Sequence, residues 1–270
     1  MEDMTMKRYF AILTLVLSVA ACNKQGLSKE QAPAAGEVIT AHIGGLDSKV
    51  EFDPSSGEFS WSNQDHIAIH TTEGSYKTVE VNSLGLLSFI PDEGEARNGY
   101  AVYPAAAASG TAEVPTVTLP SSYDLEAEAT GNRYPTPMIA VNDPDDADLW
   151  FYHLGAAFHL TLNDVPAGTK TIVVNMGKGI TGTFAISDLG SKKPFISAGD
   201  TPDEVSFVLA EALSEAADGL IVNVPLPIGT YPQVAVSAKS ESDAVLAGAE
   251  SVKEWFFPRG RGRKLELNLE

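Results

Sequence analysis

The only cysteine in the 270-residue chain, Cys22, has the surroundings of a lipid-attachment site. Lys7 and Arg8 precede an apolar run that ends in the sequence LSVAA at positions 17–21. A basic start, a short apolar core and small residues at the cleavage point are the parts of a secretory signal, and this run is too short to span a bilayer. We therefore predict a lipoprotein signal peptide over residues 1–21 and an acylated Cys22 that anchors the mature chain in membrane lipid. The alternative is ordinary cleavage beside an unmodified cysteine.

Histidines are the next residues that could do chemistry. His66 and His70 lie at an even spacing on a predicted strand, and His153 and His159 flank Gly155. A zinc site needs further ligands, and no Asp or Glu lies at a matching strand position to provide them. We therefore predict solvated or hydrogen-bonded imidazoles and no metal site.

The motifs of the common enzyme classes do not occur in the sequence. It contains no Gly-x-Ser-x-Gly elbow, no Gly-x-Gly-x-x-Gly fingerprint, no phosphate-binding loop and no His-Glu-x-x-His pair. We predict that the protein has no catalytic residues and no cofactor, and that it is not an enzyme.

Two short charged clusters stand out. Residues 143–148 supply four carboxylates, but they lack the spacing of a calcium-binding loop, so we interpret them as a solvated interdomain linker. Residues 259–264 (RGRGRK) form a basic cluster directly before the last predicted strand. We interpret this cluster as a flexible, solvated turn. The alternative is a protease-sensitive hinge that frees the C-terminal strand.

The net charge of the chain limits the classes of molecule that it can bind. The chain has 36 acidic and 18 basic residues, which gives a formal net charge of −18. Binding to a phosphate backbone depends on Lys and Arg side chains that neutralise its charge. We therefore exclude nucleic acid as a partner, and also a polybasic membrane-binding face.

From Val38 onward, short and mostly alternating apolar segments are separated by turn-forming residues, the pattern of an antiparallel all-β sandwich. The last segment alternates strictly, which predicts a strand with one buried face. Residues 206–217 fit both a strand and a helical stripe, and we predict a strand to Leu209 followed by a short helical turn. The predicted strands occupy residues 38–43, 59–61, 67–70, 76–81, 86–89, 100–103, 117–119, 149–154, 158–162, 171–175, 183–186, 205–209, 220–224, 233–238 and 265–269.

These observations divide the chain into four parts. Residues 1–21 are the signal peptide, and residues 22–37, which lack apolar periodicity, are a flexible tether. Residues 38–146 are predicted to form an N-terminal β-sandwich domain and residues 147–270 a C-terminal β-sandwich domain.

Seven short motifs follow one another along nearly the whole mature chain. They are FSWSNQDHIAI at 59–69, YAVYP at 100–104, LP at 119–120, PMIA at 137–140, FYHLGAAFHL at 151–160, VPLP at 224–227 and LELNL at 265–269. Each motif alone is short, but their types and their order resemble the fimbrillin family, the lipoprotein pilins and accessory subunits of type V pili.

The resemblance implies two tandem transthyretin-like β-sandwich domains in a lipid-anchored protein of the outer membrane, on the cell surface or in a fimbrium. It also implies that other fimbrillin-like subunits are the partners and that they join by β-strand addition, in which an incoming strand pairs with an open sheet edge. By the same resemblance the donor strand contains Leu265, Leu267 and Leu269, and the strand removed by proteolysis lies near residues 38–43.

One feature departs from the pattern of stalk pilins, which are commonly cut after an arginine near the first strand. The first arginine after Cys22 is Arg97, well inside the predicted N-terminal domain. The resemblance therefore also implies a second role, that of a non-polymerising anchor or accessory subunit that retains its first strand.

A stand-alone glycan-binding surface lipoprotein is the alternative function. β-Sandwich domains commonly carry sugar sites built from exposed aromatic residues, which is an argument from fold analogy. The candidate residues are Trp150, Trp255, Phe256 and Phe257, and the ligand would lie on a host or bacterial surface.

Overall fold

Strands are almost the only regular secondary structure in the described part of the chain, as its alternating apolar residues predict. The structure is a computed structural model that describes residues 36–44, 60–125 and 136–270. The predicted signal peptide, Cys22, most of the tether and the start of the predicted strand 59–61 lie outside the described residues. The described ranges contain twenty strands and one turn of 3-10 helix, Ala105–Ala107, and no helix in them is long and apolar enough to cross a membrane.

The strands are numbered β1 to β20 in chain order. The first ten are β1 Glu37–Gly44, β2 Asp65–Thr71, β3 Tyr76–Val81, β4 Leu86–Phe89, β5 Arg97–Tyr103, β6 Ala108–Gly110, β7 Pro115–Leu119, β8 Ser122–Leu125, β9 Met138–Val141 and β10 Asp148–His153. The others are β11 Ala156–Asn163, β12 Thr171–Asn175, β13 Gly182–Ala185, β14 Glu204–Leu209, β15 Leu220–Leu226, β16 Gly229–Tyr231, β17 Val234–Lys239, β18 Val245–Ser251, β19 Trp255–Phe257 and β20 Gly262–Asn268.

The largest sheet has seven strands in the order β3-β2-β5-β9-β10-β1-β4. Strand β1 lies between β10 and β4, parallel to β10 and antiparallel to β4. The other neighbouring strands of this sheet are antiparallel. The first described strand of the chain is therefore an interior strand of the sheet.

The C-terminal half of the chain supplies most of two further sheets. A five-stranded sheet has the order β18-β17-β12-β14-β8, and a three-stranded sheet has the order β15-β11-β20. Strand β20 lies at the edge of the three-stranded sheet and runs parallel to β11. Two small sheets, β13-β7-β6 and β16-β19, complete the fold.

Two large apolar cores and a smaller one fill the space between the sheets. The first core takes side chains from β1, β2, β4, β5, β9 and β10, and the second from β11, β12, β14, β15 and β17. The third includes residues of β5, β7, β9 and β13. The fold class predicted from the sequence is confirmed, because the protein is all-β and its sheets pack in a sandwich-like arrangement.

Residues 143–148 connect β9 to β10, which pair with each other in the seven-stranded sheet. The backbone N–H of Asp146 donates to the carbonyl of Asp143 (3.2 Å), and the N–H of Asp145 donates to Asp143 Oδ1 (2.9 Å). The acidic cluster is therefore a hairpin turn within one sheet, and its interpretation as a linker was wrong. Because β10 pairs with β1 and β9, the boundary predicted between residues 146 and 147 lies inside the seven-stranded sheet. The wider division into domains 38–146 and 147–270 stays a prediction.

The segment after β14 differs from the sequence-based expectation. Strand β14 ends at Leu209 as predicted, but no helical turn follows it within the described residues 210–217. The N–H of Leu213 donates to the carbonyl of Thr169 and that of Ala217 to the carbonyl of Val165, both at 2.9 Å. In a helix, these two N–H groups would donate to carbonyls of the same segment. Here they donate to another loop instead, so their hydrogen bonding is satisfied without a helical turn.

Candidate functional site

Strand β1 is hydrogen-bonded to its neighbours on both sides. The N–H of Thr40 donates to the carbonyl of Ala147 (2.9 Å), and the N–H of Ala41 donates to the carbonyl of Gly85 (2.7 Å). The indole Nε1–H of Trp61 donates to the carbonyl of Ala41 (2.9 Å). Removing β1 would expose unpaired backbone groups on two strands at once, and such a gap is a binding groove for another strand.

The inward side chains of β1 lie in the first core. Ile39 is completely buried, Ala41 is nearly so, and Ile43 packs against the same core while half-buried. Trp61 covers this part of the core and makes an edge contact with Phe151 of β10, with ring centroids 5.6 Å apart. The groove that β1 occupies therefore accepts apolar side chains at every second position.

A buried guanidinium holds the start of β1. Arg97 of β5 is 2% exposed, and its Nε and Nη2 donate to the carboxylate of Glu37 at 2.9 and 2.5 Å. Its Nη1 donates to Asn142 Oδ1 (2.9 Å) and its Nη2 to the carbonyl of Asp146 (2.8 Å). Arg97 thus ties β1 to β5 and to the β9–β10 hairpin, and its burial keeps it from an arginine-specific protease while the chain is folded.

Strand β20 carries the three predicted donor leucines. Leu269, just beyond its end, is 4% exposed, and Leu265 and Leu267 pack partly buried against the second core. Glu266 and Asn268, which alternate with them, are exposed. The prediction of a terminal strand with one buried face is confirmed, whereas its role as a donor stays a prediction.

Strand β20 is paired along one edge. It runs parallel to β11 from Gly262 to Asn268, and β11 is its only sheet neighbour among the described strands. At the end of the chain, Glu270 exchanges two 3.0 Å backbone hydrogen bonds with Gly248 of β18. The C-terminal strand is therefore held by one long ladder and one terminal pair.

Strands β1 and β20 carry apolar side chains at the same spacing. Strand β1 presents Ile39, Ala41 and Ile43 at every second position, the same spacing as the three donor leucines. Each strand also runs parallel to a long partner, β1 to β10 and β20 to β11. The structure places the two strands in different sheets of this chain, so it does not bring the donor leucines to the β1 groove.

The basic cluster 259–264 makes a turn at Arg259 and Gly260 and then runs into β20, which begins at Gly262. Arg259 Nη1 donates to the carbonyl of His153 (3.1 Å), and the N–H of Gly260 donates to the carbonyl of Gly155 (2.8 Å). Gly260 has φ +64°, a conformation that favours glycine. The predicted turn is confirmed only for Arg259 and Gly260, which hydrogen bonds to His153 and Gly155 hold in place, and residues 262–264 belong to the strand instead.

Two histidines lie next to the cations of this C-terminal region. Burial, and then the positive charge of Arg259, lower the pKa of His153 to about 4. Burial also lowers the pKa of His159, the nearby charge of Lys264 lowers it further, and a hydrogen bond to Asn223 opposes this shift. Both side chains therefore favour the neutral imidazole, which avoids repulsion with the cations beside β20.

The other histidines are hydrogen-bonded, as the sequence predicts. His70 Nδ1 lies 2.7 Å from Asn98 Oδ1, and His66 Nδ1 lies 2.9 Å from a backbone carbonyl. His42 Nε2–H donates to Asp148 Oδ1 (2.8 Å). Across residues 36–44, 60–125 and 136–270, no group of three or more His, Cys, Asp and Glu side chains is placed to hold a metal ion.

The four aromatic candidates for sugar binding differ in exposure. Phe257 is completely buried, and Trp255 packs partly buried against the second core, with its ring 5.8 Å from that of Phe158. Trp150 and Phe256 are 50% and 55% exposed. Only the last two therefore present a large aromatic surface to solvent.

Trp150 has an aromatic neighbour that sequence reasoning missed. The rings of His42 and Trp150 are stacked at 4.4 Å with an interplanar angle of 18°. The two residues are opposite each other on β1 and β10. No sequence signal links them, because the register between strands so distant in the chain is not visible in either segment.

Comparisons with solved structures find similar chains in Bacteroides. A candidate cell adhesion protein of Bacteroides ovatus has a TM-score of 0.49 and 14% identity, covering 87% of this chain and 93% of that one. A candidate cell adhesion protein of Bacteroides uniformis has a TM-score of 0.42 and 14% identity, covering 86% and 93%. No protein-family profile and no curated protein matches the sequence. At these identities and TM-scores the likeness carries no inference about function.

Proposed function

We propose that this protein is an adhesive, lipid-anchored cell-surface protein of the outer membrane that joins fimbrillin-like subunits of type V pili by β-strand exchange. The position of β1 is the observation that supports this proposal most. It is the first described strand of the chain, yet it lies inside the seven-stranded sheet with hydrogen-bonded neighbours on both sides. Its loss would leave a groove between β10 and β4, lined by the first core.

Strand β20 is the proposed donor. Leu265, Leu267 and Leu269 supply apolar side chains at the spacing of the β1 side chains that they would replace. A donated strand that ran parallel to β10 and antiparallel to β4 would reproduce the pairing of β1. The backbone hydrogen bonds would provide affinity, and the leucines would fix the register.

The sequence that follows β1 determines which proteases could open this groove. A cut that separates β1 from the rest of the chain has to fall between Gly44 and Ser60. Residues 45–59 contain one lysine, Lys49, and no arginine. In the proposed role of an anchor or accessory subunit, the chain keeps β1 and its acylated Cys22 and contributes only a C-terminal strand. In the proposed role of a polymerising subunit, a protease other than an arginine-specific one opens the groove.

A peptide-incorporation experiment tests strand exchange. The full chain receives a specific protease site at Lys49, is cut there, and is mixed with a fluorescent peptide of residues 262–270. We expect the peptide to co-elute with the cut chain and to displace the fragment that contains β1, whereas the same peptide with Leu267→Asp does not. If the fragment leaves and neither peptide is bound, the strand-exchange proposal is wrong.

Intact mass measurement on protein from its native envelope tests the anchor and separates the two roles. A chain that begins with a diacylated or triacylated Cys22 has kept its anchor and β1, as an anchor or accessory subunit requires. An unlipidated chain that begins beyond Ile43 has lost β1, as a polymerising subunit requires. A chain cut at Cys22 without acylation contradicts the lipoprotein part of the proposal.

A further inference from the structure

The outer face of β1 and β10 carries a row of ring side chains that the strand-exchange proposal does not use. Trp150 and Tyr152 alternate with buried residues of β10, so both lie on the face opposite the first core, about 7 Å apart along the strand. Their register partners on β1 are His42 and Gly44. The face thus combines two aromatic rings with an imidazole.

The indole of Trp150 is held in place yet remains open to solvent. His42 stacks against it at 4.4 Å, and His42 Nε2–H donates to Asp148 Oδ1 (2.8 Å). The imidazole is therefore fixed between a carboxylate and the indole, and it restrains the ring that it contacts. Because Trp150 is still 50% exposed, much of its surface is available to a ligand.

Gly44 leaves room for the second ring. A Cβ added at this position would come within 2.6 Å of Tyr152 Cε1, so any side chain here would collide with the tyrosine ring. The ring of Tyr152 therefore lies across the end of β1 beside the Trp150–His42 stack. Gly44 thus lets a second, half-buried ring lie on the same face of the sheet as Trp150.

We propose that Trp150 and Tyr152 form a carbohydrate-binding surface that takes a neutral oligosaccharide. The apolar faces of sugar rings pack on aromatic rings, and their hydroxyls need polar partners at the edge of the contact. The carboxylate of Asp148, 52% exposed, and the imidazole of His42 supply such partners next to Trp150. This inference rests on the adhesive part of the proposed function and gives it a ligand class.

The negative charge beside Trp150 favours a neutral sugar over an acidic one. The hairpin that leads into β10 carries four carboxylates in residues 143–148, and the whole chain has a net charge of −18. A sulfated or acidic glycan would be repelled at this end of the surface. A neutral hexose chain carries no such penalty, and its hydroxyls donate to carboxylate oxygens.

A binding experiment with matched variants tests the proposal. The full chain, Trp150→Ala, Trp150→Phe and Val245→Ala are titrated with cellohexaose, maltohexaose and mannohexaose by calorimetry. Val245→Ala is the control, because it removes an exposed apolar side chain from a different sheet. Circular dichroism checks that each variant keeps its fold.

We expect at least one of the three sugars to bind, with affinity unchanged in Val245→Ala, about tenfold weaker in Trp150→Ala and partly restored in Trp150→Phe. The proposal is overturned if none of the sugars binds, if Trp150→Ala binds as well as the full chain, or if Val245→Ala loses as much affinity as Trp150→Ala. Peptide incorporation at the β1 groove does not depend on Trp150, so a failure here leaves the strand-exchange test unaffected.

Discussion

The carboxylate of Glu37, the first residue of β1, is bound by the buried guanidinium of Arg97, sixty residues later in the chain. The Arg97 side chain is 1% exposed while that of Glu37 is 38% exposed, so the pair joins the interior of the sheet to its surface. The amide oxygen of Asn142 and the carbonyls of Pro144 and Asp146 also accept hydrogen bonds from the guanidinium. This single side chain therefore connects β5 to the start of β1 and to the turn between β9 and β10.

Arg97→Ala should lower the free energy of unfolding by about 3 kcal/mol, because it removes a buried side chain with its ion pair and leaves the buried amide oxygen of Asn142 without its donor. Urea denaturation monitored by tryptophan fluorescence measures the change. Lys178→Ala is the control, since it removes one positive charge from an exposed position and should cost less than about 0.5 kcal/mol. Equal stabilities of the two variants would show that Arg97 does not hold the sheet.

Gly85→Ala should weaken the attachment of β1. Gly85 has φ +79°, and an added Cβ would come within 2.5 Å of the carbonyl oxygen of Ala41 on β1. Gly74 has the same φ with nothing within 4 Å of the added atom, so Gly74→Ala measures the backbone strain alone, about 1 kcal/mol.

Hydrogen exchange of residues 37–44 distinguishes these two glycine variants. We expect faster exchange in Gly85→Ala than in Gly74→Ala, together with a larger loss of unfolding free energy. Indistinguishable exchange in the two variants would mean that β1 adapts to the extra methyl group without loosening.

Stability should fall on acidification because of His153. Its pKa is about 4 in the folded chain and about 6.5 in an unfolded one, so the unfolded state binds the proton first as the pH falls. The stability is fully present above about pH 6.5 and decreases toward about pH 4, by about 3 kcal/mol in all.

The difference between the full chain and His153→Gln isolates this contribution from that of the carboxylates. Glutamine does not titrate, so the variant should lose less unfolding free energy than the full chain between pH 7 and pH 4.5. Parallel denaturation curves at each pH provide the measurement. The same pH dependence in both proteins would assign the acid sensitivity to other groups.

Strands with clear alternation and turn residues at both ends could be predicted from the sequence. The predicted segments 76–81, 86–89 and 171–175 coincide with β3, β4 and β12. The alternation of the C-terminal segment also gave the correct buried face for Leu265, Leu267 and Leu269. In these segments, the residues that make the pattern recognisable in the sequence are also the residues that pack in the cores.

Other parts of the fold are not visible in local sequence. Strand β9, Met138–Val141, has four apolar residues in a row, and β18, Val245–Ser251, is rich in small residues with weak strand preference. The parallel pairing of β1 with β10 and the stack of His42 on Trp150 depend on register between distant segments. Of the residues of this surface, Trp150 was therefore predicted from the sequence, whereas Tyr152 and His42 were not.

Leu267→Asp in the full chain should reduce stability by about 2 kcal/mol, because it places a carboxylate against the second core. Asn268→Asp puts the same group on the exposed neighbouring position and serves as the control. Thermal unfolding compares the two. If Asn268→Asp is as harmful as Leu267→Asp, the effect comes from charge along β20 and not from the apolar face.

The pairing of β1 with β10 also determines the order in which the chain can fold. His42 and Asp148, at the two ends of this contact, are separated by 106 positions, so β1 is synthesised early and has no parallel partner until β10 has been made. Contacts between such distant segments form late and slow folding. Until then the seven-stranded sheet lacks an interior strand. Until β1 is in place, its position between β10 and β4 is open to any competing strand, without any proteolysis.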